Sequence, residues 1–152
     1  MRALLHPVVL LSLAVWFVND HFLKAALHDE LTGKLSDVAS LIVFPLLPVA
    51  AFDLWGRGSS RAHDVLLMAS ILATGLVMAS INLFDAAADA YRVGLAVLQY
   101  PFLGLRSFEL GPLRPVGLTM DPTDLVTLPA LIVPALVGRS RDSDDPAPEY
   151  AA

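Results

Sequence analysis

The sequence contains no cysteine and few charged residues. Without cysteine the chain cannot form a disulfide, a thiolate nucleophile, a cysteine-ligated metal site or an attached haem. Only 16% of its 152 residues are charged, whereas a soluble domain has about 25%. Nothing in the sequence resembles a basic surface for nucleic acid, so we expect no nucleic-acid partner. The shortage of charge excludes an ordinary water-exposed surface over much of the chain.

The hydrophobic residues, 56% of the chain, occur in uncharged runs that indicate helices surrounded by lipid. We therefore predict an all-α integral membrane protein with four transmembrane helices and an interfacial helix near residues 86–99. The predicted spans are residues 4–22, 37–55, 64–84 and 122–138. All four belong to a single membrane domain, residues 1–141. Residues 142–152 are predicted to form a disordered acidic tail.

Prolines interrupt the second and the fourth predicted span. Pro45 and Pro48 lie in the second, and Pro129 and Pro134 lie in the fourth. A proline inside a helix removes a backbone hydrogen bond and kinks the chain. Within lipid, protein or water must satisfy the carbonyl groups that such a kink exposes. We therefore expect kinked helices beside a polar region.

A short motif, L-T-x-x-x-[S/T]-D, occurs at residues 31–37 and again at residues 118–124. Each copy stands directly before a proline-containing span, so the chain divides into two similar two-helix units. Repetition in the same direction predicts two parallel-repeat hairpins, an arrangement that some transporters use. Asp37 and Asp124 would then be equivalent and lie at the same membrane face. A chance match remains the alternative, because the motif is short and its residues are common.

Lys and Arg residues beside the spans predict the orientation of the chain. Five arginines lie close to helix ends on one side: Arg2, Arg57, Arg61, Arg139 and Arg141. The other side also has five basic residues, but most of them lie in a long loop and are mixed with acids. Clustered basic residues mark the cytoplasmic side. We therefore predict that both termini are cytoplasmic and that both motifs face outward.

Several residues around the motifs carry a resemblance to known proteins. They are Asn19, Asp20, Phe22, Leu23 and Lys24, then residues 32–37, Leu41 and residues 44–46, and finally residues 121–125 and 128–131. Together they resemble a family of small bacterial multi-pass membrane proteins without an assigned activity. The resemblance covers the first half and the last span. It implies a bacterial cytoplasmic (inner) membrane protein and supplies no chemistry.

The carboxylates of the two motifs have two interpretations. In the first, Asp37 and Asp124 only cap the helices that follow them, where side-chain oxygens satisfy amides at the positive end of the helix dipole. In the second, these two residues line one polar cavity with Asp20, Lys34 and Asp121 and bind a ligand there. Ionisable groups near membrane depth are costly and are therefore often functional. The two interpretations are compatible.

Three other chemistries have weaker support. Thr32-Gly33-Lys34 is not a phosphate loop, because no strand precedes it and no Ser or Thr follows the lysine. Lys34 alone could hold a lipid phosphate. His21 and His28 lie on one helical face, but zinc needs a third ligand. A Ser36–His21–Asp nucleophile lacks the usual elbow motif. We predict no metal and no cofactor.

The sequence therefore predicts a multi-pass bacterial membrane protein, without evident catalysis, that binds or passes a small polar or ionic ligand at an outer-face polar site. One alternative is a lipid-processing enzyme, in which Lys34 holds a phosphate and Asp37 or His21 is the general base. A second alternative is an accessory subunit that packs on a larger membrane partner. Because the chain is short, a transport pathway would require a homo-oligomer.

Overall fold

The computed structural model describes residues 2–23, 30–54, 59–107 and 112–139, and these contain no strand, which confirms the all-α prediction. Their α-helices are α1 (Pro7–Val18), α2 (Glu30–Val43), α3 (Leu46–Leu54), α4 (Ser60–Leu83), α5 (Asp85–Ser107) and α6 (Ile132–Arg139). Two 3₁₀ helices (Arg2–Leu5 and Pro122–Leu131) and a π-helical turn (Asn19–Leu23) complete the described elements. The predicted acidic tail lies outside the described residues.

Two helical segments of the described chain are long and apolar enough to cross a membrane, by length and composition. The first is Leu31–Leu54, which joins most of α2 to α3, and the second is α4. Each has 24 residues. Pro7–Leu23, which combines α1 with the π-helical turn, is apolar but shorter. These segments coincide with the first three predicted spans.

Helix α2 contains the whole first motif, residues 31–37, which corrects the prediction that a helix begins at Asp37. The leucines and the lysine of the motif are good helix formers, and its single glycine is only weakly unfavourable. Ser36 donates its hydroxyl hydrogen to Asp20 rather than to a nearby backbone carbonyl. It therefore does not compete with the helical hydrogen bonds. Asp37 lies inside the helix and is not its cap.

Pro45 interrupts the second predicted span, as expected. Phe44 and Pro45 form a turn between α2 and α3. A continuous helix would need an amide hydrogen at Pro45 for the carbonyl of Leu41, and proline has none. Pro48 is tolerated because it lies in the first turn of α3, where an amide has no partner within the helix.

The fourth predicted span is a 3₁₀ helix, Pro122–Leu131, followed by α6, rather than one α-helix. Pro129 lies inside the 3₁₀ helix. In α-helical geometry its ring would clash with the carbonyl four residues earlier. The residue before a proline also disfavours α-helical dihedral angles. Prolines thus determine the type of helix in this segment.

Helix α5 contains the helix predicted at residues 86–99 and extends beyond it to Ser107. Only Phe84 separates it from α4, and it continues past Pro101 to Ser107. Its buried residues include Ala88 and Ala96.

The chain divides into two compact units, one formed by Met1–Gly75 with Val126–Ala152 and the other by Leu76–Leu125. In the first unit, α1 packs against α2. The rings of Trp16 and Phe44 meet edge to face, with 5.3 Å between their centroids. The buried core of this unit consists of Val9, Ile42, Val43, Leu46, Val49, Leu67, Ile71 and Val137.

Two glycines of the first unit stand where leucine side chains leave no room for a Cβ atom. A Cβ on Gly75 of α4 would lie 2.9 Å from Cδ1 of Leu131, and one on Gly138 of α6 would overlap the side chain of Leu67. Along α4, Leu67 comes before Gly75, but their partners occur in the reverse order, since Gly138 follows Leu131. The C-terminal segment is therefore antiparallel to α4 in this unit.

We expect Gly138→Ala to lower the free energy of unfolding by about 1–3 kcal/mol, the usual cost of overpacking a core. Leu67 cannot move aside easily, because it is fully buried. Gly94→Ala in α5 is the matched control, since its Cβ would meet nothing within 4 Å. We expect that change to stabilise the helix by about 0.5–1 kcal/mol. Thermal unfolding followed by circular dichroism tests both, and equal shifts for the two variants would contradict the packing described.

Candidate functional site

The π-helical turn at the end of α1 brings two adjacent polar residues to one partner on α2. Asn19 donates from Nδ2 to Oγ of Ser36 over 2.7 Å, and Ser36 donates from Oγ to Oδ1 of Asp20 over 2.8 Å. In a regular α-helix, neighbouring side chains point about 100° apart. Single π-helical turns are rare and often occur at functional sites. Here the turn allows Asn19 and Asp20 to reach the same hydroxyl group.

Helix α2 supplies the other half of this cluster from one of its faces. Thr32 and Ser36 are four residues apart, so they lie one above the other on the helix. Both are buried. Asn19 also donates from Nδ2 to the backbone carbonyl of Thr32 over 2.6 Å. The first motif therefore provides a carbonyl and a hydroxyl group, one turn apart, that hold a single asparagine. We name Asn19, Asp20, Thr32 and Ser36 the Asn19 cluster.

The hydrogen bonds of the Asn19 cluster run from the interior to the surface. Asn19 is completely buried, Ser36 is buried and Asp20 is exposed. The carbonyl oxygen of Asn19, Oδ1, is also buried and has no hydrogen-bond partner in the described part of the chain. Leaving a buried acceptor unsatisfied costs about 1–3 kcal/mol. Such groups are rare in folded proteins and require an explanation.

The second motif has a different conformation: the side chain that caps its helix is that of Asp121, whereas Asp124, the predicted cap, lies inside the 3₁₀ helix. Asp121 accepts from the amide of Thr123 over 2.8 Å through Oδ1, at the start of the 3₁₀ helix. Its carbonyl accepts from the amide of Asp124 over 2.9 Å. Pro122 stands where the first motif has Leu35, and a proline disfavours helical geometry in the residue before it. This difference explains why one copy is α-helical and the other begins as a loop.

Two side chains of the second unit hold this loop in place. Asn82, which is buried, accepts from the amide of Asp121 through Oδ1 over 3.0 Å and donates through Nδ2 to the carbonyl of Met78. Arg92 donates to the carbonyl of Leu118 over 2.7 Å and pairs with Asp89 over 2.6 Å. Both amide atoms of Asn82 therefore have partners within the protein.

The predicted ligand-binding residues are distributed over both units. Asp20 joins Ser36, as described above. Lys34 and Asp37 are partly buried on α2. The helical repeat places Lys34 about 200° around the axis from Ser36, which is a different face of α2. Asp121 and Asp124 belong to the second unit. One cavity shared by all five residues therefore remains a prediction.

His21 does not form the nucleophile group that the sequence allows. Its Nδ1 lies 2.9 Å from the carbonyl of Phe17, and its ring stacks on the Phe17 ring at 4.1 Å. Because a carbonyl can only accept, Nδ1 carries the hydrogen. Ser36 instead bonds to Asp20. His28, the other half of the histidine pair, lies outside the described residues, and those described contain no metal-binding group of three or more His, Cys, Asp or Glu.

A buried histidine–aspartate pair is absent from the sequence-based predictions. Nδ1 of His63, near the start of α4, lies 3.1 Å from Oδ1 of Asp53, near the end of α3. The side chains are only 5% and 12% exposed. In the sequence, these two ionisable residues are ten positions apart and flank a short connector between apolar runs, and this pattern is the feature that could have indicated their contact.

Comparison with protein-family models, curated proteins and solved structures gives no match to this chain. The resemblance to small bacterial multi-pass membrane proteins therefore remains a prediction that depends on the motifs alone.

We expect Ser36→Ala to lower the free energy of unfolding by about 1–3 kcal/mol, because it removes a partner from the buried amide of Asn19. Ser40→Ala is the matched control on the same helix, since the Ser40 hydroxyl bonds to the carbonyl of Asp37 within α2. We expect that control to change stability by less than about 0.5 kcal/mol. Chemical unfolding measures both, and equal effects would show that the Asn19 cluster contributes little to stability.

Proposed function

We propose that this chain is a multi-pass bacterial inner-membrane protein that binds or passes a small polar or ionic ligand at the Asn19 cluster. The observation that carries the proposal is the hydrogen-bonded series from buried Asn19 through Ser36 to exposed Asp20. It lies between two apolar helical segments, Pro7–Leu23 and Leu31–Leu54. Polar groups at such positions are costly in lipid and tend to be retained for function.

Helix lengths support four spans. At about 1.5 Å per residue, the 24 residues of α4 extend about 36 Å, more than the ~30 Å apolar core of a bilayer, and Leu31–Leu54, which turns at Phe44 and Pro45, extends at most as far. A 3₁₀ helix rises about 2.0 Å per residue, so Pro122–Leu131 and α6 together give about 32 Å. Pro7–Leu23 gives about 25 Å, which suits a short first span. The fourth span is thus long enough although it has few residues.

Exposed apolar side chains also favour a lipid environment. On α4, Val65, Leu72 and Leu76 are more than 60% exposed. On α6, Leu136 is 67% exposed. Large apolar surfaces of this kind mark contact with a membrane or with another protein. An accessory subunit packed on a larger partner would use the same surface, and co-purification of one stoichiometric partner would favour that alternative.

The lipid-processing alternative gains less from the geometry. Ser36 bonds to Asp20, and Nδ1 of His21 faces a backbone carbonyl. Lys34 lies on a different face of α2 from Ser36, by the helical repeat. The arrangement therefore favours ligand binding over a nucleophile with its base.

Single cysteines test the proposed topology, since the chain has no native cysteine. We expect Leu31→Cys and Thr123→Cys to react with a membrane-impermeant thiol reagent only from outside intact cells. Ser59→Cys should react only in inverted vesicles. All three positions are exposed.

Ser36→Cys is the matched control for burial, because Ser36 is only 7% exposed and should react slowly from either side. Labelling of Leu31→Cys and Thr123→Cys from opposite sides would exclude two parallel hairpins. Labelling of Leu31→Cys and Ser59→Cys from the same side would exclude a span between them.

Proteoliposomes test whether the protein passes a solute. Vesicles shrink in a concentrated solute and swell again as it enters, which light scattering follows. We expect the protein to accelerate swelling for a small polar or ionic solute. Asp20→Asn should slow that entry by about tenfold or more, because removing a charged partner weakens a hydrogen-bonded contact by that amount.

Asp89→Asn is the control, because it makes the same chemical change at an aspartate whose side chain is 70% exposed and pairs with Arg92. Solute entry that is equally fast with the unchanged protein, with Asp20→Asn and with Asp89→Asn would count against a role for the Asp20 carboxylate.

A further inference from the structure

We infer that the ligand of the Asn19 cluster is a small monovalent cation, taken by oxygen atoms of Asn19, Ser36 and Asp20. The inference rests on the proposed function and specifies the chemistry of its ligand. An alkali metal ion and a protonated primary amine share that chemistry, and the experiment below separates them.

The orientation of the Asn19 amide is determined by its neighbours. The carbonyl oxygen of Thr32 can only accept, so the group that faces it at 2.6 Å must be the NH₂ of Asn19. The opposite orientation would place two acceptors against each other. Oδ1 of Asn19 is therefore the atom left without a partner in the described residues.

This oxygen belongs to the cluster by geometry. Oδ1 and Nδ2 are bonded to one carbon atom and lie roughly 2.2 Å apart. Nδ2 is 2.7 Å from Oγ of Ser36. Oδ1 of Asn19 is therefore within about 5 Å of that hydroxyl oxygen. A single small ligand that lies between these two oxygens can therefore contact both.

The described hydrogen bonds use the donors of Asn19 and Ser36 and leave acceptors. Both hydrogens of the Asn19 amide are used, one for Thr32 and one for Ser36. The hydroxyl hydrogen of Ser36 goes to Asp20. What remains to face a ligand is Oδ1 of Asn19 and the second lone pair of the Ser36 hydroxyl. A group of acceptors attracts a cation or a donor and repels an anion.

Asp20 adds a negative charge to these neutral oxygens. Its position is fixed by the hydrogen bond from Ser36. Nδ1 of the neighbouring His21 faces the carbonyl of Phe17. The proposed contacts to the cation are therefore one carboxylate and two neutral oxygens.

This composition favours a monovalent cation over a divalent one. Calcium takes about 6–8 oxygen ligands, often from several carboxylates. A primary ammonium group has three N–H donors, one for each of the side-chain oxygens proposed to take the cation, those of Asn19, Ser36 and Asp20. A dehydrated alkali metal ion would use the same oxygens.

Thermal unfolding of the purified protein at constant ionic strength tests the inference. The salts are the chlorides of sodium, potassium, methylammonium and tetramethylammonium. Tetramethylammonium is the reference, because it has no N–H donor and is too large to contact three neighbouring oxygens. We expect sodium, potassium or methylammonium to raise the unfolding temperature by about 3 °C or more over the reference, since a ligand that binds only the folded state stabilises it.

Two variants, each with a control, test whether the rise in unfolding temperature depends on the Asn19 cluster. Asn19→Leu should abolish the shift, whereas Asn82→Leu, which replaces a buried asparagine with both amide atoms partnered, should retain it. Asp20→Asn should weaken binding by about tenfold or more, and Asp89→Asn should not. Binding is also followed by the fluorescence of Trp16 in a Trp55→Phe background. If Asn19→Leu does not fold, Asp20→Asn decides the question, because Asp20 is exposed and the change preserves its shape.

The outcomes separate this inference from the proposed function. A shift with sodium or potassium alone supports a metal ion, and a shift with methylammonium alone supports an amine. The shift could also depend on Asn19 but appear only with glycerol or with tetramethylammonium phosphate. That result would overturn the inference that the ligand is a cation, while the proposal that the cluster binds a ligand would stand. The absence of an Asn19-dependent shift with every solute overturns both.

Discussion

The amide of Asn19 connects α1 to α2 where the apolar packing between them ends. It donates to a carbonyl and to a hydroxyl group that lie one turn apart on α2. Both of these bonds are buried, so water cannot replace them, and losing either would leave a buried polar group unsatisfied. The position of Asp20 depends on the same contact, because Ser36 reaches Asp20 while it accepts from Asn19. Packing brings the two helices together, and this amide determines their register.

Prolines and glycines set the remaining geometry of the chain. Pro45 divides one apolar segment into α2 and α3, and prolines favour a 3₁₀ helix in the C-terminal segment. Gly75 and Gly138 allow that segment to approach α4 closely. Small residues serve the same purpose between helices in membranes, where close packing replaces the hydrophobic effect. Prolines and glycines therefore determine both the type of helix in the C-terminal segment and how closely that segment packs on α4.

The sequence predicts those features that depend on local chemistry. The helical class follows from uncharged runs, and the break at Pro45 follows from the missing amide hydrogen. The start of α2 could not be predicted in this way, because Ser36 and Asp37 are good capping residues. Only a hydrogen bond from Asn19, seventeen residues away, shows that the Ser36 hydroxyl has a different role.

The same limit applies to the candidate site. The sequence predicts Asp20 as a ligand-binding residue, because an acid beside an apolar run is conspicuous. Its partners Ser36 and Asn19 are uncharged and carry no such signal. The contact of His63 with Asp53 also depends on how two helices meet. Sequence periodicity describes one helix at a time and gives no information about such contacts.

Asn19 and Asn82 differ in the hydrogen-bond partners of their side-chain oxygens, and this difference separates their roles. Each is buried near the end of an apolar helix and donates to a backbone carbonyl. The oxygen of Asn82 accepts from the amide of Asp121, so the protein itself satisfies it and its role is to hold a loop. The oxygen of Asn19 has no such partner among the described residues. An identical side chain in a similar position therefore holds a loop in one unit, while in the other it supplies the acceptor at which we propose that a ligand binds.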